Sequence, residues 1–455
     1  MSHPRPAPTA RRARHTAAAL AGAAVLLTAT APAALAADPD DPSSDALFGA
    51  ADPQFDGVWR QSIALLAQDA AGYAPADEAV DWLLGQQCAD GSFLSFRADV
   101  SAPCDDVTAA DSNATALAVQ ALAALGGHDE AVSSGLTWLT GVQNEDGGWS
   151  YNPGGATDAD STGVVVGAFA AAGEDPAEVV RDGNSPFDAL AGLQLGCDAP
   201  AEERGAFAWQ PDETTGELFA SDLATVDAVL ASYGSGLLVA PESVTAAPVA
   251  PLDCDGNGDE AEETGEADEA EETDEADEAA GEDASAPRVA SASAGAARLA
   301  GLLADGEQHL VSVPPGGEEQ PDYATTARAV IALSAGGHEE ARQGALEWLG
   351  EHHGEWPDLA NSPASLGMLV LAAHAGDVSP EDFGGADLIE QLNALGPAPD
   401  ETPGGADGAA DADASDDDSG AGALTWVLAV GLIAGIAIGV VLSLRARARR
   451  TGDPA

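Results

Sequence analysis

Trp138-Leu139-Thr140-Gly141-Val142-Gln143-Asn144-Glu145-Asp146-Gly147-Gly148-Trp149 is the stretch that decides the fold. A helix ends at Gln143, a loop built on Asp146-Gly147-Gly148-Trp149 follows, and the polar run Asp158-Ala159-Asp160-Ser161-Thr162 opens a second helix. The same order occurs earlier in the chain. Trp82 to Gln87 leads into Asp90-Gly91-Ser92-Phe93, then into Asp111-Ser112-Asn113-Ala114-Thr115 and an Ala-rich helix. A repeated unit of this size is a helix pair that cannot bury its apolar face alone, so the copies must stack.

Apolar residues recur at helical spacing through the body of the chain, with almost no strand-like alternation. The predicted pairs are 77–87 with 113–125, 130–143 with 162–172, 186–195 with 223–233, 294–303 with 324–335, and 339–351 with 363–375. Helices 57–69 and 387–395 are each half a pair, and packing them together completes a sixth hairpin and closes a ring. Closure removes the exposed ends that an open stack must cap. Ala/Val-rich helices such as 114–125 and 163–172 are predicted inside, and helices with one charged face, such as 130–143 and 339–351, outside. The expected fold is all-α: an α/α toroid, a two-layer helical barrel of about six hairpins, plus one C-terminal transmembrane helix.

The ends read differently. Arg11, Arg12 and Arg14 precede an apolar run, and Ala34-Leu35-Ala36 offers a small-residue cleavage site, so 1–36 reads as a secretory signal peptide. An uncharged apolar run at 423–444 is long enough to span a bilayer, and Arg445, Arg447, Arg449 and Arg450 in the tail 445–455 place that end in the cytoplasm. Gly431, Gly435 and Gly439 are spaced to pack two such helices together. The expected localisation is a single-pass plasma-membrane protein with its domain outside.

Formal net charge is −61 and lysine is absent, which excludes nucleic acid as a partner. The acidity concentrates in an insertion, 241–289, and a stalk, 397–422, both expected to stay disordered because they hold little to bury. They divide the toroid into a first part, 54–240, and a second, 290–396. Four cysteines in an exported chain predict disulfides, with three connectivities open. The favoured pairing is Cys88 with Cys104, closing the first repeat's loop for about 3 kcal/mol, and Cys197 with Cys254. No ligand spacing points to a metal; His352 and His353 are adjacent on a helix and point apart, near His338 and His374. Asp253, Asp255, Asn257 and Gly258 match the first half of a calcium loop, but Thr264 stands where its bidentate Glu belongs.

The Gln-x-x-Asp-Gly-Ser/Gly-Phe/Trp loops and the polar inner-helix starts resemble the α/α-toroid superfamily. Its members include terpenoid cyclases, protein prenyltransferases and the helical domain of cobalamin carriers. The chain is most similar to the exported, membrane-anchored prenyltransferase/squalene oxidase repeat proteins of high-GC Gram-positive bacteria. The resemblance covers 54–240 and 290–396, in permuted order, which a ring tolerates. It implies that Gln143 and Trp149 tie neighbouring helices together. It also implies that Asp160, in Asp158-Ala159-Asp160-Ser161-Thr162-Gly163, occupies the place of a protonated catalytic acid. Ser161 replaces the motif's third aspartate, and Gly163 stands where Ala is usual. The plain alternative makes Asp160 or Ser161 the N-cap of its helix. Prenyltransferase chemistry is disfavoured, because scattered arginines and no lysine cannot hold a diphosphate.

Similar polar starts, with Asp111 and Thr115, Asp222, or Tyr323, open the other inner helices, so a ring would gather them at one mouth, a donor-rich rim suited to a ligand's polar groups. Trp149, Tyr151, Trp209 and Trp356 lie in the loops between helices, either as packing wedges or as a stacking surface at that mouth. The candidate ligand-binding residues are therefore Asp111, Thr115, Trp149, Tyr151, Asp158, Asp160, Trp209, Asp222, Tyr323 and Trp356. The expected function is non-enzymatic: capture of a small or amphipathic molecule, without a catalytic cofactor, and its presentation to a membrane transporter. The carriers suggest a corrinoid such as cobalamin as ligand, although their second, β-rich domain has no counterpart here. The alternatives are a terpenoid-cyclase-like enzyme using Asp160 as general acid and a cell-surface partner-binding spacer.

Overall fold

The computed structural model of the chain describes residues 45–104, 109–240, 247–254, 279–314 and 316–402. The signal peptide, the calcium-loop positions from 255 on, the membrane helix and the basic tail read from sequence lie outside the described residues. Among the described residues no helix is long and apolar enough to cross a membrane.

The fold is all-α. Its helices are α1 (Gly57–Ala70), α2 (Asp77–Gln86), α3 (Ser112–Leu125), α4 (Asp129–Gly141), α5 (Ala159–Ala171) and α6 (Pro186–Leu193), followed by α7 (Asp222–Ser232), α8 (Ala279–Asp305), α9 (Tyr323–Ala335), α10 (Glu339–His352), α11 (Pro363–Ala375) and α12 (Leu388–Asn393). Two-residue antiparallel ladders, β1 (Phe207–Ala208) with β2 (Ala220–Ser221) and β3 (Val311–Ser312) with β4 (Gln320–Pro321), precede α7 and α9.

The odd-numbered helices carry the core. α1 packs on α3, α3 on α5, α5 on α7, α7 on α9, α9 on α11, and α11 back on α1. Their sequences allow this closeness. In α5 every residue from Ser161 to Phe169 is buried, and a Cβ on Gly163 would lie 2.9 Å from the Asp227 carbonyl oxygen of α7. The missing side chain lets the two backbones meet. The even-numbered helices bury one face only; α4 buries just Gly135, Leu136 and Leu139.

The pairing is one element out of phase with the sequence expectation. Each even helix packs mainly on the odd helix before it: α2 on α1, α4 on α3, α6 on α5, α8 on α7, α10 on α9 and α12 on α11. The connection from α3 to α4 is tight, through Gly126 and Gly127 at positive φ, whereas the connection from α4 to α5 is the long, motif-bearing loop. Residues 57–69 and 387–395 are thus not halves of one hairpin. They still touch, through Gln68 Nε2 donating to Asn393 Oδ1 at 2.8 Å, and the Gly49 N–H ahead of α1 donates to the Leu395 carbonyl at 2.7 Å.

Both acidic segments are shorter than read. Residues 279–289 belong to α8, whose Arg288 sits 4.6 Å over the Phe187 ring, so the insertion interrupts the α7–α8 hairpin rather than separating hairpins. The expected stalk is held at its start, since the Asp400 N–H donates to the Ala74 carbonyl and its carboxylate accepts the Asp77 N–H. Cys88–Cys104 and Cys197–Cys254 are both bonded.

Candidate functional site

A recurring set of hydrogen bonds holds the starts of the odd helices. Thr115, Thr162, Thr225 and Thr326 each stand four residues past a cap. Each hydroxyl accepts the backbone N–H of a loop residue, Phe93, Trp149, Phe207 and Leu310 respectively, at 2.8–3.0 Å. Thr115 is thereby committed to the scaffold, its own hydroxyl donating to the Asp111 carbonyl at 2.7 Å. The loop glutamines work alongside. Gln143 Nε2 donates to the carbonyls of Gly147 (2.7 Å) and Val179 (2.9 Å), and Gln87 does the same with Gly91 and Ala131. Gly91 and Gly147 have positive φ and sit hard against the Ser134 and Ser185 carbonyls, where a side chain has no room.

Several candidate residues are absorbed by this scaffold. Trp149 is completely buried, its Nε1 donating to the Leu139 carbonyl at 2.8 Å and its ring packed on Phe169, so it is a core wedge closed to ligand. Tyr323 is buried and packs against Trp348 and Trp356, which occupies the Trp356 ring too. Asp111 caps α3 by accepting the Ala114 N–H at 2.8 Å and also holds the Ser95 hydroxyl. Tyr151 and Trp209 remain half exposed, and their carbonyls accept the N–H groups of Ser112 and Ala159 at the first turns of α3 and α5.

The cap of α5 is Asp158, not Asp160 or Ser161. Its carboxylate accepts the Ser161 N–H at 2.7 Å and the Ser161 hydroxyl at 2.9 Å. Burial raises the Asp158 pKa, and its hydrogen bonds to Ser161 lower it. The helix begins earlier than the apolar pattern suggests, because the N–H that needs capping belongs to Ser161. Asp160 therefore lies inside the first turn with no capping task. Its Oδ1 is buried without a hydrogen-bond partner. Burial first, and then the neighbouring Asp227 carboxylate, raise its pKa to about 7, with Arg328 pulling the other way.

Sequence reasoning missed Asp227 and grouped Arg328 with scattered arginines. The two stand at matching positions in α7 and α9, and Arg328 Nη2 meets Asp227 Oδ1 at 2.8 Å. Asp227 is 4% exposed. Burial raises its pKa to about 6, against the opposing Arg328. Asp227 Oδ2 and Arg328 Nε are buried with no hydrogen-bond partner, as is Asp160 Oδ1. The available signal was a charge in the middle of each of two otherwise Ala/Val-rich helices, six residues past the cap. Asp222, in the first turn of α7, also has its pKa raised by burial, with Arg298 opposing.

Two surface cavities lie elsewhere. One of about 780 Å³ runs between Ala300 and Ala304 of α8 and the start of α10, and one of about 660 Å³ lies beside Asp146, Thr157 and Asp188. Asp160, Asp227 and Arg328 line neither. Among the described residues no group of three or more His, Cys, Asp or Glu is arranged to hold a metal. His338 pairs with the Tyr233 hydroxyl at 2.7 Å, and His352 and His353 bond backbone carbonyls of their own turns.

Set against known proteins, the chain matches no protein-family model and no curated protein. Fold and geometry are thus the ground for function.

Proposed function

We propose that this chain is an extracytoplasmic ligand-binding protein built on an α/α toroid, with its ligand site between the first turn of α5 and the middles of α7 and α9. The cycle of contacts that returns from α11 to α1 supports the toroid. The observation that carries the site is the trio Asp160, Asp227 and Arg328, drawn from three neighbouring helices and retaining buried, unpaired polar atoms. Such atoms cost about 1–3 kcal/mol each to leave unmatched, and a ligand can satisfy them. Two disulfides support export, and the apolar segment 423–444 supports an anchor from which ligand is handed to a membrane transporter.

Native mass spectrometry of the purified full-length protein with corrinoids, prenoids and small polar amines and alcohols tests this. The expected outcome is an adduct that Asp160→Asn weakens; the absence of any adduct overturns the binding function and favours a partner-binding spacer. A terpenoid-cyclase-like activity is the second reading, and the raised pKa of Asp160, which keeps a proton available near neutrality, is what favours it. That chemistry requires a dry apolar chamber at Asp160, and neither cavity described above reaches it. Product formation from a polyprenyl substrate, abolished by Asp160→Asn, is its test.

A further inference from the structure

We propose that the group recognised by the Asp160–Asp227–Arg328 site is an organic ammonium ion carrying a neighbouring oxygen. This rests on the ligand-binding function above and names its chemistry. Asp227 pairs with Arg328, and the Asp160 carboxylate feels the charge of both, so with both carboxylates ionised the trio holds one negative charge more than its guanidinium neutralises. Its unmet acceptors, Asp160 Oδ1 and Asp227 Oδ2, outnumber its unmet donor, Arg328 Nε. A protonated amine supplies N–H donors and the missing charge, and a hydroxyl or carbonyl beside it accepts from Arg328 Nε. A divalent metal fits poorly, because the guanidinium already occupies Asp227 Oδ1.

The surroundings favour the same ligand. Tyr151 stands exposed by 44% in the connection that delivers the chain to α5, and Trp209 and Phe219 by 50 and 61% in the one that delivers it to α7. Exposed aromatic faces attract cations, most of all alkylammonium groups. The strong acidity of the whole chain draws cations toward any mouth it presents and repels anions.

Binding is then coupled to a proton. Asp160 takes up a proton as pH falls through about 7, and an ammonium ion needs the ionised carboxylate. The other groups near it do not replace this response. Asp227, paired with Arg328, takes up its proton lower, at about 6, and adds only to the acid end of the response. Asp158 is tied to Ser161, Asp222 is opposed by Arg298, Asp188 of α6 is locked in its capping box with Ser185, and α3 contributes no titratable residue beyond its cap Asp111.

The test uses a matched pair of probes, 2-amino-1-phenylethanol and the neutral 1-phenyl-1,2-ethanediol, titrated calorimetrically into the full-length protein at pH 6 and pH 8. The amine stays protonated across this range. At pH 8 it is expected to bind at least about tenfold tighter than the diol, and about tenfold weaker at pH 6 than at pH 8, as Asp160 takes up its proton. Asp160→Asn, checked for native helicity by circular dichroism, is expected to erase the preference and leave only the weaker pH dependence that Asp227 contributes near pH 6. Equal or tighter binding of the diol, or amine binding unchanged in Asp160→Asn, overturns the ammonium assignment while leaving a ligand site in place. Failure of both probes, together with failure of corrinoids and prenoids, overturns both proposals.

Discussion

At the start of α3, Asp111 caps the helix and Thr115 accepts the Phe93 N–H; at the start of α5, Asp158 caps and Thr162 accepts the Trp149 N–H. The two turns do the same local work with the same residue types at the same spacing. They differ at the position two past the cap, Asn113 in one and Asp160 in the other. They differ again at the fifth, where α3 has Ala116 and α5 has Gly163. Both Asn113 and Asp160 leave a buried oxygen unpaired, but only Asp160 carries a charge, and it feels the Asp227 carboxylate and the Arg328 guanidinium of other helices. The repeated residues build the scaffold, and the departures from the repeat build the site.

Four experiments test that contrast. Arg328→Ala removes the counter-charge that only the α5 side has, leaving Asp227 buried and unpaired. A loss of about 3–5 kcal/mol is expected in urea unfolding at pH 8. The loss shrinks at pH 5, where Asp227 takes up a proton; an equal loss at both would show that packing, not charge, is responsible. Gly163→Ala should cost about 1–3 kcal/mol by driving α5 off the Asp227 carbonyl, and it should lower the pKa of Asp160 as the carboxylates separate, as read by carboxyl NMR titration.

Asp160→Asn is expected to act in the opposite direction. The folded state holds the Asp160 proton more tightly than the unfolded chain, so its contribution is full below about pH 4 and is lost as pH rises through about 7. Removing the charge should therefore stabilise the protein by about 1–2 kcal/mol at pH 8 and leave it unchanged at pH 4, measured by thermal unfolding at each pH. Smallest and most alike are the caps. Asp111→Ala and Asp158→Ala should each cost about 1 kcal/mol; a markedly larger effect at Asp158 would mean that it belongs to the site rather than to the scaffold.

Helix positions were legible because apolar periodicity is a local property, whereas the threonine and glutamine bonds that tie distant loops to the helix starts were not, because they join residues 13 to 44 apart. Nor was the phase of the hairpins. The motif-rich loop between α4 and α5 looked like the turn of a pair, whereas the pairing that buries most lies across the plain Gly126-Gly127 turn. Asp160 was visible as the residue in the acid position of the resembled motif, but whether it caps its helix turned on where that helix starts, earlier than read, which the Asp158–Ser161 bond settles.

From the chain alone came the all-α class, the stacking of repeated helix pairs, both disulfide pairings and the identity of Asp160 as the residue to watch, because periodicity, capping and cysteine number are local or countable properties. Tertiary structure decided which helix pairs with which, which aromatics are buried, that Asp227 pairs with Arg328, and that Asp160 lies within reach of their charges. Those outcomes depend on how closely Gly163 lets α5 approach α7 and on which charges are then shut off from water, and neither distance nor desolvation is written in the order of residues.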